Sequence, residues 1–315
     1  MELRSTPAII LDCDPGHDDA IAIMLAAQFT RLVGITTVSG NAPLELTTRN
    51  ALIVTQLLGI ETPVHQGAAH PLAAPALHAA IVHGESGLEG PVLPPLVRKP
   101  ASRDAVAFIC DTTRHETDIW LVAIGPLTNI AHAVEKDPDL VNRIAGISIM
   151  GGSTHVGNVS PVAEFNVWAD PEAADVVFRS GATIRMCGLN LTHQLMTDDA
   201  IVARLRDRSD AVAGGVVAQF VAALLDYLHG RMAELRGERR AALHDPCAVL
   251  AVTHPQIFSF GDRHVQVELD GELTRGMTVV DERSAKDAPA PNVEVAYEID
   301  SALAMELVLS SMHEH

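Results

Sequence analysis

Aromatic side chains are scarce, 3% of 315 residues, so Ala, Val, Ile and Leu must fill the interior. Basic residues are scarce as well. Only 22 Lys and Arg stand against 40 Asp and Glu, and the formal charge of −18 would repel a nucleic-acid backbone, with no Lys/Arg cluster to offset it. Long apolar runs are missing, and none approaches the roughly 20 residues that cross a bilayer. The four cysteines, Cys13, Cys110, Cys187 and Cys247, are scattered and lack metal-ligand spacing. Three of them sit in apolar runs or beside a helix start, where they read as small buried residues. Nothing resembles a signal peptide, because the N-terminus passes through Glu2 and Arg4 into a short strand with a charged exit. These absences leave a small molecule as the expected ligand and a reducing cytoplasm as the expected setting.

What is present is a strand-then-helix rhythm. Ala8 to Cys13 reads as a strand, Asp19 to Phe29 puts Ile21, Met24 and Leu25 on one helical stripe, and Leu32 to Ser39 reads as a second strand. A helix over Leu44 to Leu58 closes at Gly59, and a buried strand over Ile119 to Ile124 ends at Gly125-Pro126. Helix over Leu127 to Val134, strand over Ile144 to Met150, helix over Pro171 to Arg179 and strand over Thr183 to Cys187 follow. Later come a helix over 211–229, a charged stretch over 231–240, strands at His264–Leu269, Met277–Val280 and Val293–Tyr297, and an amphipathic helix from Ser301 to Met312. The expected fold is α/β, a single Rossmann-like domain over 1–315 with a mostly parallel central sheet flanked by helices. Two segments break the rhythm: the long helix over 211–229 with its charged sequel, and Gly67 to Pro100, which carries His83-Gly84-Glu85-Ser86-Gly87, is too long for a plain connector and reads as a functional lid or a disordered loop.

Four aspartates follow the first apolar run, at Asp12, Asp14, Asp18 and Asp19. Other strand exits are polar too. They present Asn41, the carbonyls around Ile124, a loop carrying Asn158, Glu164 and Asn166, and the pair His244-Asp245. A parallel sheet places all its exits on one edge, where the active site is expected. Carboxylates so close together repel one another unless a cation or hydroxyl donors share them. Oxygen-only ligands suit calcium or magnesium better than zinc, and the crowding leans toward calcium. The same carboxylates would push phosphate away, and with amides they suit a neutral, polyhydroxylated substrate. Set against this, Asp18 and Asp19 would pass as ordinary helix-capping residues, Asn129 as a cap, Met150 and Phe165 as core, and His17 as a position free to vary.

The run Asp12 to Asp19, the turn Gly125-Pro126-Leu127-Thr128-Asn129, Met150-Gly151-Gly152, Ala163-Glu164-Phe165-Asn166 and Leu243-His244-Asp245-Pro246 together resemble the nucleoside hydrolase family of the inosine-uridine-preferring kind. The similarity extends to Leu273-Thr274-Arg275-Gly276 and Pro291-Asn292-Val293. The resemblance implies a calcium-dependent ribonucleoside hydrolase of nucleoside salvage, acting as a homodimer or homotetramer. It implies Asp14, Asp19, Asp245 and the Ile124 carbonyl as calcium ligands, and Asp12 behind them. It places Asp18 and Asn166 on the ribose 2′-hydroxyl, Asp245 on the 3′-hydroxyl, Asn158 and Glu164 on the 5′-hydroxyl, and Asn41 beside the metal-held water. Met150 and Phe165 would border the sugar.

Asp14 would be the general base on that water, with inversion at the anomeric carbon. His244, expected to titrate near working pH, and His83, on the lid, would serve the leaving base. The helix before His244 offers Leu228, Met232 and Arg236 toward that base, with Tyr227 one residue off; His244 in place of an aromatic stack argues against a purine-only enzyme. Two other readings of the residues compete. One is an aspartyl phosphotransferase of haloacid-dehalogenase type using Asp12 and Asp14, which leaves the Glu-Phe-Asn and His-Asp-Pro segments unexplained. The other is a non-catalytic calcium-dependent sugar-binding protein, in which an imidazole beside the metal would be redundant.

Overall fold

β1 (Ala8–Cys13) is apolar on both sides because both its sides are covered. In this computed structural model, which describes residues 6–208, 215–283 and 286–312, Ile9 and Leu11 join one apolar cluster and Ile10 the other. Successive side chains of a strand point to opposite faces, so helices must flank the sheet on both. Each of these three fully buried side chains contributes about 1.5–3 kcal/mol.

The chain continues through α1 (His17–Phe29), β2 (Arg31–Thr37), α2 (Leu44–Leu57), β3 (Val64–Gln66), the short α3 (Ala80–His83) and α4 (Ala105–His115). Then come β4 (Ile119–Ala123), α5 (Thr128–Lys136), β5 (Gly146–Met150), α6 (Phe165–Ala169), α7 (Pro171–Phe178), β6 (Ile184–Cys187) and α8 (Leu189–Thr192). The remainder adds β7 (Met196–Asp198), α9 (Asp199–Arg208), α10 (Gly215–Arg236), β8 (Arg240–Ala242) and α11 (Pro246–Thr253). It closes with β9 (Phe258–Arg263), β10 (Val265–Val267), β11 (Thr278–Val280), β12 (Val293–Ile299) and α12 (Ser301–Ser310).

The main sheet has eight strands in the order β3-β2-β1-β4-β5-β6-β12-β9, parallel throughout except for β9. The expected fold class is therefore the one found. β1 pairs with both β2 and β4, so the chain winds outward from β1 to one edge and then returns to its other side. In such a sheet a crevice opens where the winding reverses, outside the carboxyl ends of the strands. Here the reversal lies between β1, which ends in the aspartates, and β4, which ends at Ile124-Gly125.

Two expectations change, and one strand is new. α1 is not a one-stripe helix: every residue from His17 to Ala26 is buried, since α1 lies under α2, α10, α11 and α12. The strand expected at His264–Leu269 is shorter and pairs only with β11, in a small sheet of its own. β9, not among the expected strands, carries Gly261 and exposed Ser259 and Asp262 and forms the antiparallel edge. Of the helix expected over 211–229, residues 211–214 lie outside the described residues; the rest belongs to α10, which runs on through Arg236. The four cysteines are all buried with free thiols. Among the described residues no helix is long and apolar enough to cross a membrane.

Gly230 sits inside α10 with nothing nearer than 4.0 Å to the place where a Cβ would stand. Gly230→Ala is expected to raise the unfolding free energy by about 0.5–1 kcal/mol, the helix-propensity difference, measured by urea titration.

Candidate active site

Past Leu11 the chain stops burying hydrocarbon and buries carboxylates. Asp12 is fully enclosed, and its Oδ1 accepts from Thr36 Oγ1 (2.5 Å) on β2 and from Asn129 Nδ2 (2.7 Å) on α5. Asn129 also donates to the Thr37 carbonyl and accepts from Ala68 N, so it is a tie between four segments and not the helix cap expected. Burial raises the Asp12 carboxyl to about 7.

Asp14 lies on the turn after β1, between two glycines. A Cβ on Gly40 would collide with its Oδ2, and a Cβ on Gly125 would stand 2.5 Å from its Oδ1. Only glycine lets β1 and the exits of β2 and β4 close on a carboxylate this tightly. Asp14 Oδ2 accepts from Asn41 N (2.6 Å), while Oδ1 is buried without a partner. Burial first, then the neighbouring Asp19, pushes the Asp14 carboxyl well above the ordinary carboxylate range. Asp19 accepts from Asp14 N, Gly16 N and Asn41 Nδ2, so it ties down the start of α1 while facing the cluster, and the capping and site readings hold together. Burial holds it at about 6.

Asp18, Asp19 and Asp245 bring one oxygen each to within 4.8 Å of one another, and all three are buried. Asp245 opens α11 and is raised well above its ordinary value by burial and then by Asp18 and Asp19. The backbone N–H of His244 donates to Asp18 Oδ2 (3.1 Å), linking the two chain segments. Two helix N-termini, of α1 and α11, meet here and oppose part of the negative charge.

Above the carboxylates opens a cavity of about 380 Å³, within the range of small-molecule sites. Asp18, Asn41, Ile124, Met150, Glu164 and Asn166 line it, as do Asn158 and Phe165. Leu77, Ile81, Val82, Leu228 and Met232 supply apolar lining, and His83, His193, His244, Arg236 and Arg240 also line it. Leu228, Met232 and Arg236, the positions the resemblance offers on the helix before His244, thus share the wall, and Tyr227 does not. Asp14, Asp19 and Asp245 lie beneath the wall residues.

Glu164 caps α6, accepting from the backbone N–H groups of Asn166, Val167 and Gly152, and burial raises it to about 7. Asn158 Oδ1 accepts from Phe165 N, which fixes the loop rim. Asn166 Nδ2 donates to the carbonyls of Ile124 (3.0 Å) and Met150 (3.1 Å). The carbonyl of Ile124, a residue that lines the cavity, keeps a second lone pair beyond this bond.

The imidazoles differ from expectation. Burial holds His244 at about 4, so it is neutral at neutral pH and does not titrate near it. Its Nδ1 meets Thr192 Oγ1 (2.7 Å), and His193 packs edge-on at 5.7 Å; neither residue was singled out in sequence, because α8 reaches His244 only through the fold. His83 reaches the cavity from α3 and burial holds it at about 4. His17 is fully buried against it and is no free position.

A donor set of carboxylate and carbonyl oxygens, Asp18, Asp19 and Asp245 converging while the buried Asp14 Oδ1 lacks a partner, fits a hard divalent cation. Joined to a pocket of mixed polar and apolar lining at the winding reversal of a parallel sheet, this is the build of an enzyme for a hydroxyl-rich small molecule. The sequence model of the inosine-uridine preferring nucleoside hydrolase family matches residues 9–306, and the chain belongs to that family. It is 42% identical over 316 residues to the pyrimidine-specific ribonucleoside hydrolase RihA of Shewanella woodyi, covering 98% of this chain and 99% of the relative. The enzyme of the same name from an Enterobacter species is 43% identical over 297 residues, 93% of each chain. Among solved structures, the purine-preferring ribonucleoside hydrolase from Gardnerella vaginalis superposes with a TM-score of 0.89 at 32% identity, covering 97% of this chain and 98% of the other. The protein is a ribonucleoside hydrolase.

Proposed function

We propose that this hydrolase is calcium-dependent, cleaves the N-glycosidic bond with inversion, prefers pyrimidine ribonucleosides, and works as one domain over 1–315. The observation that carries the reading is the convergence of Asp18, Asp19 and Asp245 beneath the pocket, beside the unpartnered Asp14 Oδ1. Asp14, Asp19, Asp245 and the Ile124 carbonyl would hold the cation. When bound, calcium supplies positive charge that orders the ribose diol and acidifies a neighbouring water. Asp18 and Asn166 hold the 2′-hydroxyl, Asp245 the 3′-hydroxyl, and Asn158 with Glu164 the 5′-hydroxyl, while Met150 and Phe165 border the sugar.

The water oxygen attacks C1′ on the face opposite the base, and its proton passes to Asp14 Oδ1. The C1′–N bond breaks and its electron pair goes to the base. Asn41, whose backbone N–H donates to Asp14 Oδ2 and whose side-chain Nδ2 donates to Asp19 Oδ2, keeps these two carboxylates in register. Carboxylates around the sugar favour the cationic character that develops on the ribose. His244 is neutral, so it serves as a hydrogen-bond donor to the departing base when Thr192 donates to Nδ1, and the base takes its proton from solvent. His83 faces the base from the lid. The pyrimidine preference rests on the two relatives at 42% and 43% identity, which bear that name. The reading also carries a place in cytoplasmic nucleoside salvage and assembly as a homodimer or homotetramer.

The test is ribose release from uridine, cytidine and inosine, with and without a chelator. Expected is turnover of uridine and cytidine ahead of inosine, abolished by the chelator and restored by calcium. Binding of ribonucleosides without ribose release would favour a sugar-binding protein, and phosphate release from a phosphomonoester would favour the phosphotransferase.

A further inference from the structure

We infer that His17 is a positioning residue: it locks the His83 ring in the form protonated on Nδ1, so that Nε2 presents a lone pair to the base end of the pocket. The inference rests on the ribonucleoside reading only for what His83 then meets.

The lock follows from two short contacts. His17 Nε2 lies 2.9 Å from the carbonyl oxygen of Glu89, and His17 Nδ1 lies 2.9 Å from His83 Nδ1. A carbonyl only accepts, so Nε2 of His17 must carry its proton. A neutral imidazole has one N–H, which leaves His17 Nδ1 as an acceptor, and His83 Nδ1 must donate to it. The opposite arrangement has His83 Nδ1 accepting, which would use the long 3.4 Å approach of the His17 backbone N–H. That arrangement sets either two bare nitrogens 2.9 Å apart or a bare nitrogen against a carbonyl. Only the first assignment satisfies both short contacts.

The surroundings hold the geometry. His17 is fully buried between His83, with ring centroids 5.2 Å apart, and Tyr227 of α10, parallel to within 1° at 5.3 Å. A Cβ at Gly16 would stand 2.6 Å from His83 Nδ1, so the missing side chain is what admits the ring. The Glu89 carbonyl belongs to the lid segment, whose Gly90 packs on α10 so closely that a Cβ would stand 2.7 Å from the Ala223 carbonyl. Lid, aspartate loop and α10 thus join through one imidazole. With Nδ1 engaged, Nε2 is the nitrogen that His83 offers to the pocket it lines. It can accept from an N–H of the base and cannot protonate it.

The test reads the tautomer directly. In 15N-histidine-labelled enzyme, long-range 1H–15N correlation should show His83 protonated on Nδ1 and bare on Nε2. His17→Leu, which removes the acceptor, should shift His83 toward protonation on Nε2, and His17→Asn, which restores an acceptor oxygen, should hold the parent tautomer. In kinetics, His17→Leu should raise KM for uridine about tenfold, one hydrogen bond's worth, with kcat less affected, and His17→Asn should recover most of it. Protonation on Nε2 in the parent enzyme would overturn the proposal without any variant. An unchanged tautomer in a folded His17→Leu would overturn it as well. If the parent released no ribose, the hydrolase reading would fail while the tautomer result stood by itself.

Discussion

Asp14→Asn is expected to lower kcat for uridine by about a thousandfold, the usual loss when a general base goes. The replacement keeps the volume that Gly40 and Gly125 leave for a carboxylate, so the fold is retained. Its amide oxygen can still accept from Asn41 N, which turns the NH2 into the position of the unpartnered Oδ1. That position then repels a cation and takes no proton from water. The rise in melting temperature on adding calcium should shrink accordingly. In chelated protein the sign reverses. Asp14 is held well above its ordinary 3.8, so the stability tied to its bound proton is complete below pH 3.8 and is lost as pH rises toward the folded-state value. Asn carries no such loss, and chelated Asp14→Asn should gain in melting temperature over chelated parent as pH goes from 4 to 8. More than a few per cent of parental kcat, or an unchanged calcium response, would remove Asp14 from its role.

Strand exits were legible in sequence because a parallel sheet sends them all to one edge. Knowing that β1 ends at Asp12 to Asp14 and β4 at Ile124 was enough to place the carboxylates and the carbonyl together. Leu228, Met232 and Arg236 came from the resemblance, as the positions counted back from His244, and the fold does turn them to the cavity. His17 was not legible. Its neighbours in sequence are the aspartates, while its partners, Glu89, His83 and Tyr227, come from a lid and a helix whose approach no local pattern encodes. Thr192 and His193 were hidden likewise, 52 and 51 positions from His244. The charge states were the least legible of all. A lone histidine suggests titration near neutrality, but the value of about 4 for His244 is set by burial that only the packed structure reveals.

The second large effect needs no ionisable residue. Gly40→Ala adds one methyl group, yet that methyl would collide with Asp14 Oδ2 and stand 2.7 Å from Pro126 Cδ. Asp14 has no room to retreat. Its Oδ1 already occupies the space that Gly125 leaves open, and its Oδ2 is held by Asn41 N. Overpacking of this kind costs about 1–3 kcal/mol of stability. The larger consequence is catalytic. A displacement of about 1 Å at a reacting group costs on the order of a hundredfold, so kcat for uridine should fall at least that far in protein that still folds. Gly230→Ala supplies the contrast, since the same methyl there meets open space within α10 and should stabilise the chain with kcat unchanged. If Gly40→Ala kept kcat within about threefold of the parent, Asp14 would tolerate displacement, and a base fixed between two glycines would be the wrong description of this site.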